Sequence, residues 1–581
     1  MIDISLGLLI ALIPFINITK GIDFTDTGYS VVNFLHAWDH EAYWSLSTFF
    51  ANVVGWILMM LPFGKTYLGI KIYTTLIISI TGVGSYFLMK KYLNRFAAAL
   101  GVALSLFVIW CPSVVLYNQL TYLLDVGLIA LIMKGLFEEK KSLLFVSGLF
   151  SGLDVFVRFS NLTRLIFIIP VICFCIYKCE SEGIKGSFGR IFICIGGFAS
   201  GVIASVMTIG ISHGFDSIPR FLSDLRTLQG ADYGYSFSDM ILTLPEAIVK
   251  YGKWFIGLVI VSMVVFGTAL RTGKETIEKK KSIIKIFAAG IVAVLTLIPL
   301  RFMSYWGVFT HVDYTRYDTI EVFVGYLILM AVFFVDVNIF SKNVNAEMKI
   351  FSIFVLCLIF IIPLGTNTGM QAYQGSLFII APFVTGSMVE IINKSIERKS
   401  YMSFAAVAIA SIMLLITVFQ FTCFRMNYIY GDVNNRELTA TYERQESTLN
   451  GVKMLPGMVG IIEGLEEYFE GNVPISDEVI TWGNIPLMSF ALKRESAIST
   501  GWPDLTSYSE ETFKTELEHI ADGIKTKNEK PVVIVNAWFS GGDPLDRNVW
   551  EVSTKAEIMG RFIIDNDYEL VYENDKFKVY R

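Results

Sequence analysis

Charge is what this chain is short of. Only 17% of its 581 residues are Asp, Glu, Lys or Arg, while 54% are hydrophobic, with 46 Phe among them. That balance excludes an ordinary soluble protein of this length, and long apolar runs place it among integral membrane proteins. The seven cysteines show neither metal-binding spacing nor a disulfide framework. No Walker loop, Rossmann fingerprint, CxxC pair or nucleophile elbow stands in a supporting context. Met1–Ser5 lacks the basic stretch of a secretory signal and no small-residue cleavage site follows, so residues 4–19 are expected to remain as a first helix. No internal repeat is visible, which disfavours an inverted-repeat transporter. The formal net charge of −5 matters only through where the charges lie.

What is present is a series of apolar runs. Besides 4–19, they fall near 68–89, 97–116, 120–137, 142–157, 161–177, 190–212, 253–270, 283–300, 320–340, 349–365, 376–393 and 401–422. Basic loops at Lys90–Arg95, Lys140–Lys141, Lys178–Arg190, Arg271–Lys285, Lys342–Lys349 and Lys394–Lys399 alternate correctly only if the apolar stretch 46–63 does not cross. That stretch contains Asn52, Gly55 and Pro62, as suits a half-inserted helix. The expectation is about thirteen spanning helices, a cytoplasmic N-terminus, a plasma-membrane location and a tail on the outer side. Residues 1–422 form the membrane part, with a first outer loop at 20–67, and 423–581 form a soluble domain.

The tail alternates between helical and strand patterns. Helices are expected near 456–470, 509–524 and 554–565, strands at 476–481 and Pro531–Asn536, and a closing hairpin from Tyr568–Tyr572 and Lys576–Tyr580. The fold class is a polytopic α-helical membrane protein with a C-terminal extracytoplasmic α/β domain.

The outer loops carry the chemistry. Gly21-Ile-Asp-Phe-Thr-Asp-Thr-Gly-Tyr29 puts Asp23 and Asp26 directly behind the first helix. A carboxylate at that depth can take a proton from an acceptor hydroxyl beside a lipid-borne donor. Equally, either Asp can simply cap a juxtamembrane helix starting near Gly28. His36, Asp39 and His40 share a spacing that suits a metal on one helical turn, yet Trp38, Tyr43 and Trp44 make the same stretch look interfacial. Asp125 lies inside an apolar helix, where an ionisable group is either functional or held by Tyr122 or Asn118. Asp154 and Arg158 can pair at i,i+4. Arg164 has no evident local partner, and Arg301 ends an apolar run on the outer side. Both suit a lipid phosphate, and Arg301 suits the membrane's own head groups equally well. The stretch 213–252 reads as a surface-lying segment.

Taken together, this layout resembles the GT-C superfamily of membrane glycosyltransferases, such as protein O-mannosyltransferases and aminoarabinose transferases. The matching pieces are Asp26-Thr-Gly-Tyr29, the half-inserted helix, Tyr122-Leu-Leu-Asp125, and the tail segments Leu449-Asn-Gly-Val, Ile480–Pro486, Pro531–Val535 and Asn566–Tyr568. Relatives often have Glu where Thr27 stands. The resemblance implies a polyprenyl-phosphate sugar donor, Asp26 as the catalytic carboxylate, and Asp125 supporting it or a metal, while the departure at Thr27 leaves open whether Asp23 takes over part of the role. It implies Arg158 and Arg301 at the donor phosphate, and where a divalent metal (Mg²⁺ or Mn²⁺) is used, Asp26 and Asp125 as its ligands; Thr27 in place of Glu leaves that requirement open. The acceptor stays open: protein, polysaccharide or lipid. A transporter or flippase of lipid-linked glycans is the alternative, and it requires polar residues lining a path between the two faces. A non-enzymatic sugar-binding or assembly subunit is a further one.

Overall fold

In the computed structural model the described residues are 1–38, 43–230, 237–271, 318–365, 368–398, 401–506, 508–527, 530–537, 542–551 and 553–581, with scattered positions between 290 and 301. Among them, eight helices are long and apolar enough to cross a membrane, which makes this a multi-pass membrane protein. The first long span is α4 (Tyr67–Met89), and α6 (Leu116–Phe137) follows at similar length. The expected run at 283–300 lies mostly outside the described residues.

Several expected spans come out short. Helix α1 covers Ile2–Leu12 and α5 covers Arg95–Val108. Helix α7 covers Lys141–Asp154, and a later one covers Ala346–Ile361. Proline explains the first two. Pro14 sits in the tight turn Ile13–Phe15 that ends α1, and the cis Cys111–Pro112 bond lies just past the end of α5. A proline ring clashes with the preceding helical turn and supplies no N–H to it. The stretch at 46–63 forms α3 (Phe49–Met59), 11 residues long. At 1.5 Å per residue it reaches about 16 Å, well short of the hydrocarbon thickness.

Helices α1 and α4 run antiparallel. At one end Asp3 pairs with Lys90 at 2.9 Å and accepts the Tyr86 hydroxyl. At the other, the buried Lys71 ammonium donates to the Lys20 carbonyl at 2.6 Å. The C-terminal domain sits at that second end. Its four-stranded sheet has the order β3-β4-β6-β5, built from β3 (Val479–Trp482), β4 (Val532–Asn536), β5 (Leu570–Glu573) and β6 (Phe577–Tyr580). Strands β3 and β4 are parallel, and the closing hairpin of β5 and β6 is antiparallel. A two-stranded ribbon, β1 (Ala440–Thr441) with β2 (Lys453–Met454), precedes it. The continuous apolar run of β4 reflects burial on both faces. Val532 and Ile534 enter one core, while Val533 and Val535 enter another with the helices Glu510–Lys527 and Thr554–Asp565.

The first of those cores crosses the boundary between membrane part and tail. It joins Ile22, Val31, Phe34, Met59 and Tyr67 to Leu465, Leu487, Ile534 and Val579. Between them lies α2 (Asp26–Leu35), with α3 against one face, where Gly55 meets the Phe34 ring. On another face Gly28 lies so close to the tail that a Cβ there would stand 2.2 Å from the Leu487 backbone nitrogen. Backbone cannot yield as a side chain does, so Gly28→Val is expected to cost about 2–4 kcal/mol. Its signature would be a lower melting temperature together with faster tryptic release of the tail. Unchanged tail protection would contradict this packing.

Candidate active site around Asp26

The backbone entering α2 is fixed before the helix begins. Gly21 adopts φ +82°, its N–H donates to the Lys453 carbonyl at 2.9 Å, and the Ile22 N–H donates to Asp432 Oδ2 at 2.7 Å. Asp23 then caps the helix. Its Oδ1 accepts the Thr25 N–H at 3.0 Å and the Thr25 hydroxyl at 2.7 Å, and its Oδ2 accepts the Thr27 N–H at 2.7 Å. These amides are among the orphan donors of a helix N-terminus, and a carboxylate there also complements the helix dipole. Asp23 is 2% exposed, with Gly431 (φ +72°) pressed against its side chain. Of the two acidic residues, Asp23 thus does the capping, and Asp26 on the first helical turn is left for other work.

Asp26 is half-buried. Its Oδ2 accepts a hydrogen bond from the Tyr430 hydroxyl. Burial, with the charge of Asp23 added, pushes its carboxyl up to about 6, against the stabilising pull of Tyr430. The Tyr430 ring packs at 4.9 Å on Trp110, whose backbone N–H donates to Gln374 Oε1 at 2.8 Å. Tyr29, one turn further along α2, meets the tail residue Trp502 edge-on at 6.0 Å. The Trp502 indole N–H donates to Asn484 Oδ1 at 3.0 Å. Tyr117, at the start of α6, feels the charges of both Asp26 and Arg158. The Arg158 guanidinium lies 5.6 Å over the Tyr117 ring and donates to Asn118 Oδ1 at 2.8 Å. A carboxyl pushed up to about 6, a guanidinium and several aromatic rings therefore gather where membrane helix ends meet the tail.

Behind this cluster lies a buried polar network. Arg164 donates through Nε and Nη2 to the two oxygens of Asp125, both at 3.1 Å. Arg164 has a partner after all, supplied by α6 rather than by its own segment. Asp154 Oδ1 accepts from Asn161 Nδ2 at 2.7 Å, and Asn161 also donates to Thr121 Oγ1 at 2.7 Å. The expected pairing of Asp154 with Arg158 takes a different form: the Arg158 N–H caps the Asp154 carbonyl at 3.2 Å, and its guanidinium turns to Asn118.

Arg301 is exposed at the end of its helical stretch, and residues 302–317 lie outside the described residues. Helix α2 stops at Leu35 with His36 as its C-cap, while Asp39 and His40 lie outside the described residues. Among the described residues no three His, Cys, Asp or Glu side chains gather as a metal site. With Asp125 facing a guanidinium through both oxygens, the residues present do not fit a divalent ion between Asp26 and Asp125.

Sequence reasoning missed Tyr430, Lys71 and Arg425. Tyr430 carries no sequence signal, since an aromatic residue just past a membrane helix is ordinary. Lys71 could have been found as a lone cation inside an apolar run. Arg425, buried near the end of the helix Tyr401–Asn427, donates to the Pro14 carbonyl at 2.8 Å, the Ile16 carbonyl at 3.0 Å and the Cys111 carbonyl. It ties together the two proline-interrupted ends of α1 and α5.

No protein-family model matches this chain, and no curated protein matches it. Fourteen chains of solved structures do match. Two of them are crystal structures of ArnT from Cupriavidus metallidurans, one bound to undecaprenyl phosphate and one in the apo state. Each is 8% identical over 100% of this chain and 97% of its own, with TM-scores of 0.49 and 0.47.

Proposed function

We propose that this protein is a GT-C-like integral membrane glycosyltransferase that moves a sugar from a polyprenyl-phosphate donor to a hydroxyl acceptor outside the plasma membrane. The observation that carries this reading is Asp26: a half-buried carboxyl with a pKa of about 6, held on a juxtamembrane helix between membrane helix ends and the tail domain. A general base works best with a pKa near the operating pH and at the depth where lipid phosphate meets aqueous acceptor. The basic cluster Lys90, Lys91 and Arg95 lies at the end opposite the tail, which supports a cytoplasmic N-terminus and an outer tail.

In this reading the donor phosphate lies against Arg158, with Arg301 as a second candidate cation, and the prenyl chain stays in the bilayer. Asp26 takes the proton of the acceptor hydroxyl as that oxygen bonds to the anomeric carbon. The bond from anomeric carbon to phosphate oxygen breaks with its electron pair going to the phosphate, and polyprenyl phosphate leaves. A single displacement inverts the anomeric centre. Asp125 takes no part in proton transfer; with Arg164 it holds α6 and the segment carrying Arg158 in register.

The test is transfer by the purified protein in lipid, from radiolabelled polyprenyl-phosphate sugars to water or to an envelope extract. Asp26 must be deprotonated to act, so the rate should rise with pH through about 6 and level off above it. Donor binding without turnover, at any pH and with any sugar, would instead favour a transporter of lipid-linked glycans.

A further inference from the structure

The two oxygens of Asp26 have different surroundings. Oδ2 accepts the Tyr430 hydroxyl, whereas no hydrogen bond among the described residues reaches Oδ1. Tyr430 belongs to a short strap joining the helix Tyr401–Asn427 to the tail, and several contacts hold that strap. Tyr428 stacks on Phe424 at 4.4 Å, and Gly431 abuts Asp23. Asp432 accepts the Ile22 and Val433 N–H groups at 2.7 and 2.8 Å. The phenol ring itself rests on Trp110. Its hydroxyl therefore reaches Asp26 from a rigid support rather than as a loose surface contact.

We infer that Tyr430 is a positioning residue for Asp26, holding Oδ2 so that Oδ1 is the oxygen presented to the acceptor hydroxyl. The inference rests on Asp26 being the base proposed above. A carboxylate free to rotate offers its lone pairs in many directions, while one oxygen held by a donor leaves the other aimed. The same hydrogen bond favours the charged form of Asp26. The titratable groups that face Asp26 are Asp23 from the segment before α2, Tyr428 and Tyr430 from the strap, and Tyr117 from α6. Burial and Asp23 push its carboxyl up, and Tyr430 pulls it down. Without the hydroxyl, Asp26 should hold its proton to higher pH.

Tyr430→Phe keeps the ring on Trp110 and removes only the hydroxyl. The acid limb of the transfer profile should move upward by about half a unit to one unit. The plateau rate should fall roughly 3- to 10-fold with the donor KM unchanged. A second measurement needs no turnover: infrared titration of the protonated Asp26 carboxyl in donor-free protein, assigned as the band that Asp26→Asn removes. An upward shift of that titration in Tyr430→Phe, with the drop in rate, supports the inference; the same shift in a protein that transfers no sugar from any donor would overturn both the inference and the proposed function, leaving only the contact between Tyr430 and Asp26. A rate that falls with both titrations unmoved would overturn it, leaving Tyr430 a packing residue. A normal profile and rate would overturn it as well.

Discussion

Asp26→Asn is expected to cut sugar transfer by about 10²–10⁴-fold while leaving donor binding intact. The amide has the shape of the carboxylate and can still accept the Tyr430 hydroxyl through its carbonyl, so the strap and α2 should keep their geometry. What it cannot do is take a proton from the acceptor. Stability should move the other way. The folded carboxyl sits at about 6 against an ordinary value of 3.8. Ionised Asp26 therefore costs folding free energy in full above the folded pKa, progressively less on going down to the unfolded value, and nothing below it. At pH 7 that cost is of order 1–3 kcal/mol, and the neutral amide avoids it. The variant should melt at or above the wild-type temperature at pH 7, with the gain gone at pH 4. Full transfer activity in Asp26→Asn would refute the proposed chemistry, and a large drop in melting temperature would show the residue to be structural instead.

Asp125→Leu should have the largest effect on stability, a loss of about 3–5 kcal/mol. The Arg164 guanidinium is 7% exposed and donates to both Asp125 oxygens. Removing the carboxylate leaves a permanent cation buried without its partner, and arginine does not escape by losing its proton. The double variant Asp125→Leu with Arg164→Met removes both charges and should recover most of the loss, since a buried pair exchanged for apolar packing is often close to neutral. The same pair of variants separates two roles for Arg164. If it only anchors α6, the refolded double variant regains transfer along with its melting temperature. If it also serves the donor phosphate, stability returns and transfer does not, with the loss appearing in donor affinity. A single Asp125→Leu variant as stable as wild type would contradict the buried pair itself.

The elements that local pattern controls were legible before any coordinates. The tail helices appear as Pro456–Asn472, Glu510–Lys527 and Thr554–Asp565, and the strands as Val479–Trp482 and Val532–Asn536 with a closing hairpin. Each carries its own periodicity, so neighbours in sequence suffice to read it. The membrane runs were legible as apolar, but their lengths were overestimated wherever a proline ended the helix inside the run, as at Pro14 and Pro112. The acidic segment was legible as a pair of carboxylates just behind the first helix. The division of labour within it was not, because capping needs the exact path of the Thr25–Thr27 amides around Asp23.

The sequence by itself determined the solvent each segment prefers. Hydropathy and period are sums over adjacent residues, so a membrane part, a mixed tail and the places of its strands along the chain followed from them, whereas their order in the sheet did not. Only the tertiary structure decided which side chains share a site. Tyr430 reaches Asp26 across 404 residues, and Arg164 reaches Asp125 across 39. The Lys453 carbonyl anchors Gly21 from the far side of the chain. Such contacts are set by how helices and sheet pack once their apolar faces are buried. A burial pattern records that a residue is covered, but not by what, and the chemistry of Asp26 is decided by what covers it.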